Sequence, residues 1–151
     1  MKLKYLAQIC LISILSSPIC FADTTVASDG LVIKDYKKVV KKNVFFKKPL
    51  ATASHAQVVV MTINKKTNPN NEIPMETHEF DQVIMIIQGK AESRINGQKT
   101  ILKKGDMIVV PQGSAHQIIN LNDKKSLKVL SVYSANDMPA TQELKTIDDK
   151  K

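Results

Sequence analysis

Tryptophan is absent from the 151 residues, arginine occurs once, as Arg94, and cysteine only twice, as Cys10 and Cys20. Because both cysteines stand before residue 23, nothing beyond that point can form a disulfide, a thiolate metal site or a cysteine nucleophile. A domain built there must be held by its core alone. Five glycines and six prolines, scattered along the chain, exclude low-complexity and collagen-like organisation. No stretch approaches the roughly 20 consecutive apolar residues that a membrane-spanning helix needs. Acids are the minority charge, 14 against 22 basic residues for a net of +8, a surplus too diffuse to name an anionic partner. With 43% hydrophobic and 24% charged residues, the composition suits one globular domain.

The first 22 residues carry a processing signal. Lys2 and Lys4 precede an apolar run from Tyr5 to Leu15, and Ser16, Ser17 and Pro18 lead to Cys20-Phe21-Ala22. Basic, apolar and small-residue blocks in this order read as a secretory signal peptide cut after Ala22, which places the mature protein in the periplasm or outside the cell. A buried N-terminal helix would not need that order. Lipidation at Cys20 would need a small residue where Ile19 stands.

Residues 23–55 read as an N-terminal arm. Lys34, Lys37, Lys38, Lys41, Lys42, Lys47 and Lys48 crowd a stretch whose one acid is Asp35. The arm is expected to be solvated, with lipid headgroups or an anionic polymer as alternative partners. Nucleic acid is not favoured, since only Tyr36, Phe45 and Phe46 interleave with the lysines. Contiguous Val44, Phe45 and Phe46 make Lys41 to Phe46 a segment that a homodimer interface could bury.

From residue 56 to 134 short apolar runs alternate with turn residues, the pattern of an all-β sandwich or barrel. The runs are Gln57 to Ile63, Gln82 to Ile87, Ala91 to Ile95, Thr100 to Leu102, Met107 to Val110, His116 to Leu121 and Ser126 to Tyr133. Asn64 to Asn71 is a polar loop. Asn96-Gly97 is a two-residue hairpin signal, because both residue types tolerate the positive φ of a type I′ turn. Residues 135–151 form a polar tail expected to be irregular.

Chemistry concentrates at few positions. Of the three histidines, His55 falls outside any pattern and reads as an ordinary edge residue. Glu76 and His78 are two residues apart, so on a strand both leave the same face, with Gln82 four residues further and Gly89 seven beyond that. Glu79 and Asp81 alternate away from that set. His116 follows a Pro-x-Gly turn in the stretch Gly105 to Asn120. There is no nucleophile elbow and no phosphate-cradling glycine loop.

Gly105, Pro111, Gly113, His116 and Asn120 resemble, position for position, the second cupin motif, G-x5-P-x-G-x2-H-x3-N. Glu76, His78, Gln82 and Gly89 keep the spacing of the first, H-x-H-x3-E-x6-G, with two ligand types exchanged. The chain thus resembles small single-domain cupins with an E-x-H...Q variant of that motif. The resemblance implies a cupin β-barrel, a double-stranded β-helix of jelly-roll type, with the motif residues converging in its mouth. It further implies one divalent metal, Fe, Mn, Zn or Ni, held by Glu76, His78, Gln82 and His116, beside a small organic ligand. The exchange moves the single carboxylate rather than losing it, and two imidazoles with one carboxylate suit such metals. Three readings stay open: a metal-dependent oxygenase or isomerase, a metal-free periplasmic module that binds a small molecule without turning it over, or a non-catalytic surface or assembly protein that uses its basic arm.

Overall fold

The computed structural model describes residues 30–150; the expected signal peptide and the leader to Asp29 lie outside the described residues. Among the described residues, nine strands form two antiparallel sheets. The larger takes the order β1 (Lys47–Ala53), β2 (Ala56–Ile63), β9 (Leu127–Tyr133), β4 (Gln82–Gln88) and β7 (Met107–Val110). The smaller takes β3 (Glu72–Glu76), β8 (His116–Asn120), β5 (Lys90–Ile95) and β6 (Gln98–Lys103). Their facing sides bury one apolar cluster that includes Val59, Met61, Ile84, Ile86, Ile118, Leu127 and Val129. The two-residue period of the β runs delivers these side chains inward while their neighbours face out. Asn96 and Gly97 adopt φ 48° and 82° and close the expected hairpin, with Ile95 opposite Gln98.

Helix α1 (Tyr36–Lys42) lies on the outer face of the larger sheet, where its single buried residue, Val40, packs with Val60, Ile87 and Leu130. No helix among the described residues is long and apolar enough to cross a membrane.

Three segments differ from the pattern reading. The lysine-rich stretch is not an arm throughout: Lys37, Lys38, Lys41 and Lys42 are exposed on or at the end of α1, but Lys47 and Lys48 begin β1. Lys47 is buried because it pairs with Asp137, and Lys48 pairs with Glu143. Both acids come from the tail, so the charges that made the stretch look solvated are matched from a distance. Phe46 joins the molecule's own core, which removes it from any interface between copies, while Val44 is 77% exposed. The tail is not irregular throughout, since it ends in a short 3-10 helix, Ile147–Lys150, and it is tied down. Leu144 and Lys47 exchange backbone hydrogen bonds at 3.2 and 2.9 Å, Met138 and Leu144 enter the core, and the Gln57 amide donates to the Met138 carbonyl at 2.7 Å.

Candidate functional site

Glu76 ends β3, His78 follows in the connection to β4, Gln82 opens β4, His116 opens β8 and Tyr133 ends β9. Strand termini from both sheets therefore bring all five to one end of the sandwich. Glu76 reaches the interior through an irregularity. Ile73 pairs with Ile118, yet Glu76 pairs with His116, so one extra residue is accommodated between them, at Pro74-Met75. A regular strand would send residues 73 and 76 to opposite faces; the bulge restores Glu76 to the face of buried Ile73 and leaves Met75 exposed. Pro74, which cannot donate a ladder hydrogen bond, suits such a position.

His78 is not on a strand, and its placement depends on the turn of the other motif. The Gly113 N–H donates to the His78 carbonyl at 2.9 Å, and the Gln112 N–H donates to Asp81 Oδ1 at 2.9 Å. Gly113 takes φ 76° to make this turn. The Phe80 ring stacks on the His78 imidazole at 4.6 Å with the planes 9° apart, which fixes the ring's tilt. Asp81, expected to face away, does so, and its carboxylate clasps the two loops together; Glu79 accepts from the Gln112 amide at 3.3 Å.

His116 is 1% exposed. Its Nδ1 lies 3.0 Å from the Ser114 carbonyl, a contact that requires Nδ1 to carry hydrogen and so leaves the lone pair of the neutral ring on Nε2. His116 Nε2 stands 3.9 Å and His78 Nε2 3.3 Å from Glu76 Oε1. One ligand atom from each of the three residues lies within 4.8 Å of the others. Three electron-pair donors so close, shielded from water, repel one another unless a proton or a cation sits among them. Two nitrogens and one carboxylate oxygen are a donor set that suits a divalent transition metal, so the group fits the ion that the motifs imply.

The fourth motif position, Gln82, is fully buried. Its Nε2 donates to Ser131 Oγ at 3.2 Å, and its Oε1 is buried without a hydrogen-bond partner. Asn120, the last residue of the second motif, is kept from the site: its amide donates to the carbonyls of Asn64 at 2.7 Å and Lys125 at 3.0 Å, at the far end of the sandwich. His55 is exposed in the β1–β2 turn.

Tyr133 is a site residue that the sequence pattern did not disclose, since it reads as the last apolar residue of a strand. Its hydroxyl is buried without a partner, and its ring lies 5.9 Å from that of His78. Burial first, then the negative charges of Glu76 and Asp137, push the phenol well above its ordinary value of 10.0. It is a neutral hydroxyl, able to donate. Also undisclosed was a cavity of about 280 Å³ lined by Ser93, Ile95, Asn96, Gln98, Thr100 and Ile108. Ile95 is the cross-strand partner of His116, so the cavity opens at the same end of the smaller sheet as the cluster, and none of the lining side chains is charged.

Two antiparallel sheets packed face to face, with a carboxylate and two imidazoles gathered at one end, define a protein of the cupin fold. Residues 66–133 match the family described as Cupin domain, and solved structures agree with the fold. Protein BH2720 of Bacillus halodurans superposes with a TM-score of 0.72 at 22% identity, over 81% of this chain and 94% of that one. An RmlC-like cupin from Shewanella frigidimarina gives 0.53 at 18% identity, over 60% and 76%. Among curated proteins, the uncharacterised protein L612 of Acanthamoeba polyphaga mimivirus is 34% identical over 102 residues, and the alignment spans 65% of this chain and 61% of that protein's length. An uncharacterised protein of Aquifex aeolicus is 26% identical over 110 residues, 68% of this chain and 83% of the other. Together these findings support the cupin superfamily.

Proposed function

We propose that this chain is an exported single-domain cupin that binds one divalent metal and, beside it, a small organic ligand. The observation that carries the reading is the meeting of Glu76, His78 and His116 within 4.8 Å in a shielded place. His78 and His116 would hold the ion through Nε2 and Glu76 through its carboxylate, with the Gln82 carbonyl oxygen as a weaker fourth donor. When bound, the metal supplies Lewis acidity to an oxygen of the ligand. The protein's own part is to fix the imidazoles, through the Ser114 carbonyl for His116 and the Phe80 stack for His78, and to seat the ligand in the uncharged cavity next to His116. Oxygenation or isomerisation of a small molecule is the chemistry proposed.

Metal analysis of the purified mature protein tests this. About one ion per chain supports the reading. A protein that stays metal-free yet binds a small molecule is instead a non-catalytic binding module, the reading that the neutral amide of Gln82 favours. Export is proposed on the same footing, and mass spectrometry should find the mature chain beginning at Asp23. A homodimer is proposed through β7, an edge strand of the larger sheet. Its Met107 and Val109 are each 60% exposed, and a second copy's β7 could cover both the unpaired strand edge and these side chains.

A further inference from the structure

Tyr133 is wholly buried, yet its hydroxyl meets no acceptor. A buried phenol ordinarily finds one, because an unmet polar group in the interior costs stability. Nothing in the packing requires a hydroxyl there. The ring is held by Phe80 at 5.0 Å and by His78 at 5.9 Å, with the Lys47 ammonium 5.1 Å from the ring centre; phenylalanine would keep the two ring contacts. The cross-strand neighbour Gln82 repeats the pattern, with its nitrogen engaged by Ser131 and its carbonyl oxygen unmet. A donor and an acceptor on adjacent strands are thus both buried, both unmet and not bonded to each other. That arrangement serves a third group placed between the sheets.

We propose that Tyr133 is a positioning residue that donates its hydroxyl hydrogen to an anionic oxygen of a ligand bound at the Glu76, His78 and His116 centre. The ligand is a small carboxylate or enolate whose remainder is uncharged. This rests on the metal reading above. One carboxylate and one divalent cation leave the centre with a net positive charge, which favours an anionic oxygen, and the adjoining cavity of about 280 Å³ offers hydroxyls, amides and two isoleucines but no charge to the rest of the molecule.

The test uses the full mature chain loaded with cobalt(II), whose visible absorption bands report the ion's surroundings. Acetate and, separately, acetamide are the probes, and Tyr133→Phe is the variant. In the wild type acetate should shift the bands and bind at least about tenfold more tightly than acetamide. Tyr133→Phe should bind cobalt within about twofold of wild type but acetate about tenfold more weakly, the loss expected for one hydrogen bond to a charged group. Metal-free Tyr133→Phe should melt no lower than wild type, because only an unmet hydroxyl is removed; a purely structural tyrosine would lower the melting point and leave acetate alone. Unchanged acetate affinity, a clearly lower melting point or a variant that fails to fold overturns the role of Tyr133, and equal binding of acetamide overturns the anionic class. A wild type that takes up no cobalt is recognised before any acetate is added; it overturns the metal reading, and this inference falls with it.

Discussion

Asn120 is the motif residue whose side chain serves the loops away from the site. The side chain is fully buried. Nδ2 donates to Asn64 O at 2.7 Å and Lys125 O at 3.0 Å, with Ile63 O at 3.4 Å, and Oδ1 accepts from both the backbone and the side-chain nitrogen of Asn122 at 2.9 Å. Four of these are well-formed bonds, three of them to the backbone of the loops at the closed end. At a net of roughly 0.5–1.5 kcal/mol each, with partners that water reaches in part once the amide is gone, Asn120→Ala should cost about 3 kcal/mol. Asn120→Asp should cost at least as much. It keeps the acceptor toward Asn122 but sets a carboxylate oxygen against the Asn64 and Lys125 carbonyls, where a donor is required. Urea unfolding of both variants beside wild type measures this, and metal affinity in the folded state should stay within about threefold, since the site lies at the other end. A loss below about 1 kcal/mol for the alanine variant, or an aspartate variant as stable as wild type, would show that these bonds do not hold the loops together.

Three further outcomes are expected. Gln82→Glu buries a carboxyl group where Gln82 is 1% exposed; without metal its pKa must rise above the unfolded value, so the variant is most stable in acid and loses about 2–3 kcal/mol by neutral pH. Added divalent metal should raise its melting point by more than it raises that of wild type, and a melting point indifferent to both metal and pH would show that Gln82 does not face the site. The raised Tyr133 value means that the metal-free unfolded chain ionises first in alkali, so wild type loses stability as pH climbs past about 10. Tyr133→Phe should lack that part of the loss; comparing the two proteins cancels Lys128, whose ammonium burial pushes downward, and identical alkaline profiles would disprove it. Light scattering at micromolar concentration should give a dimer, reduced toward monomer by Val109→Lys on β7; a wild-type monomer rejects that interface.

What could be read from the sequence follows from which forces act locally. The Asn96-Gly97 turn was legible because positive φ is a property of those two residues. The seven apolar runs became strands because a two-residue period needs no distant partner to be seen. Strand β1 was hidden, since Lys47, Lys48 and Pro49 look like a solvated linker until Asp137 and Glu143 arrive from about ninety residues away. Strand β3 was hidden by Pro74 and its bulge, the same irregularity that turns Glu76 inward. Motif spacing located Glu76, His78 and His116 as a group, and the structure brings their ligand atoms together. It could not locate Tyr133, because the pairing of Tyr133 with Gln82 is a fact of register between strands far apart in the chain.

Titration of the chelator-stripped mature protein with Fe, Mn, Zn and Ni, followed calorimetrically beside His116→Ala and His78→Ala, decides whether Glu76, His78 and His116 form one metal centre. About one site per wild-type chain is expected. Affinity should fall at least about tenfold in either variant, and because protons compete with the ion for imidazole nitrogens it should weaken in acid. A wild-type protein that binds none of these ions, or one whose affinity is the same after either histidine is removed, would contradict it.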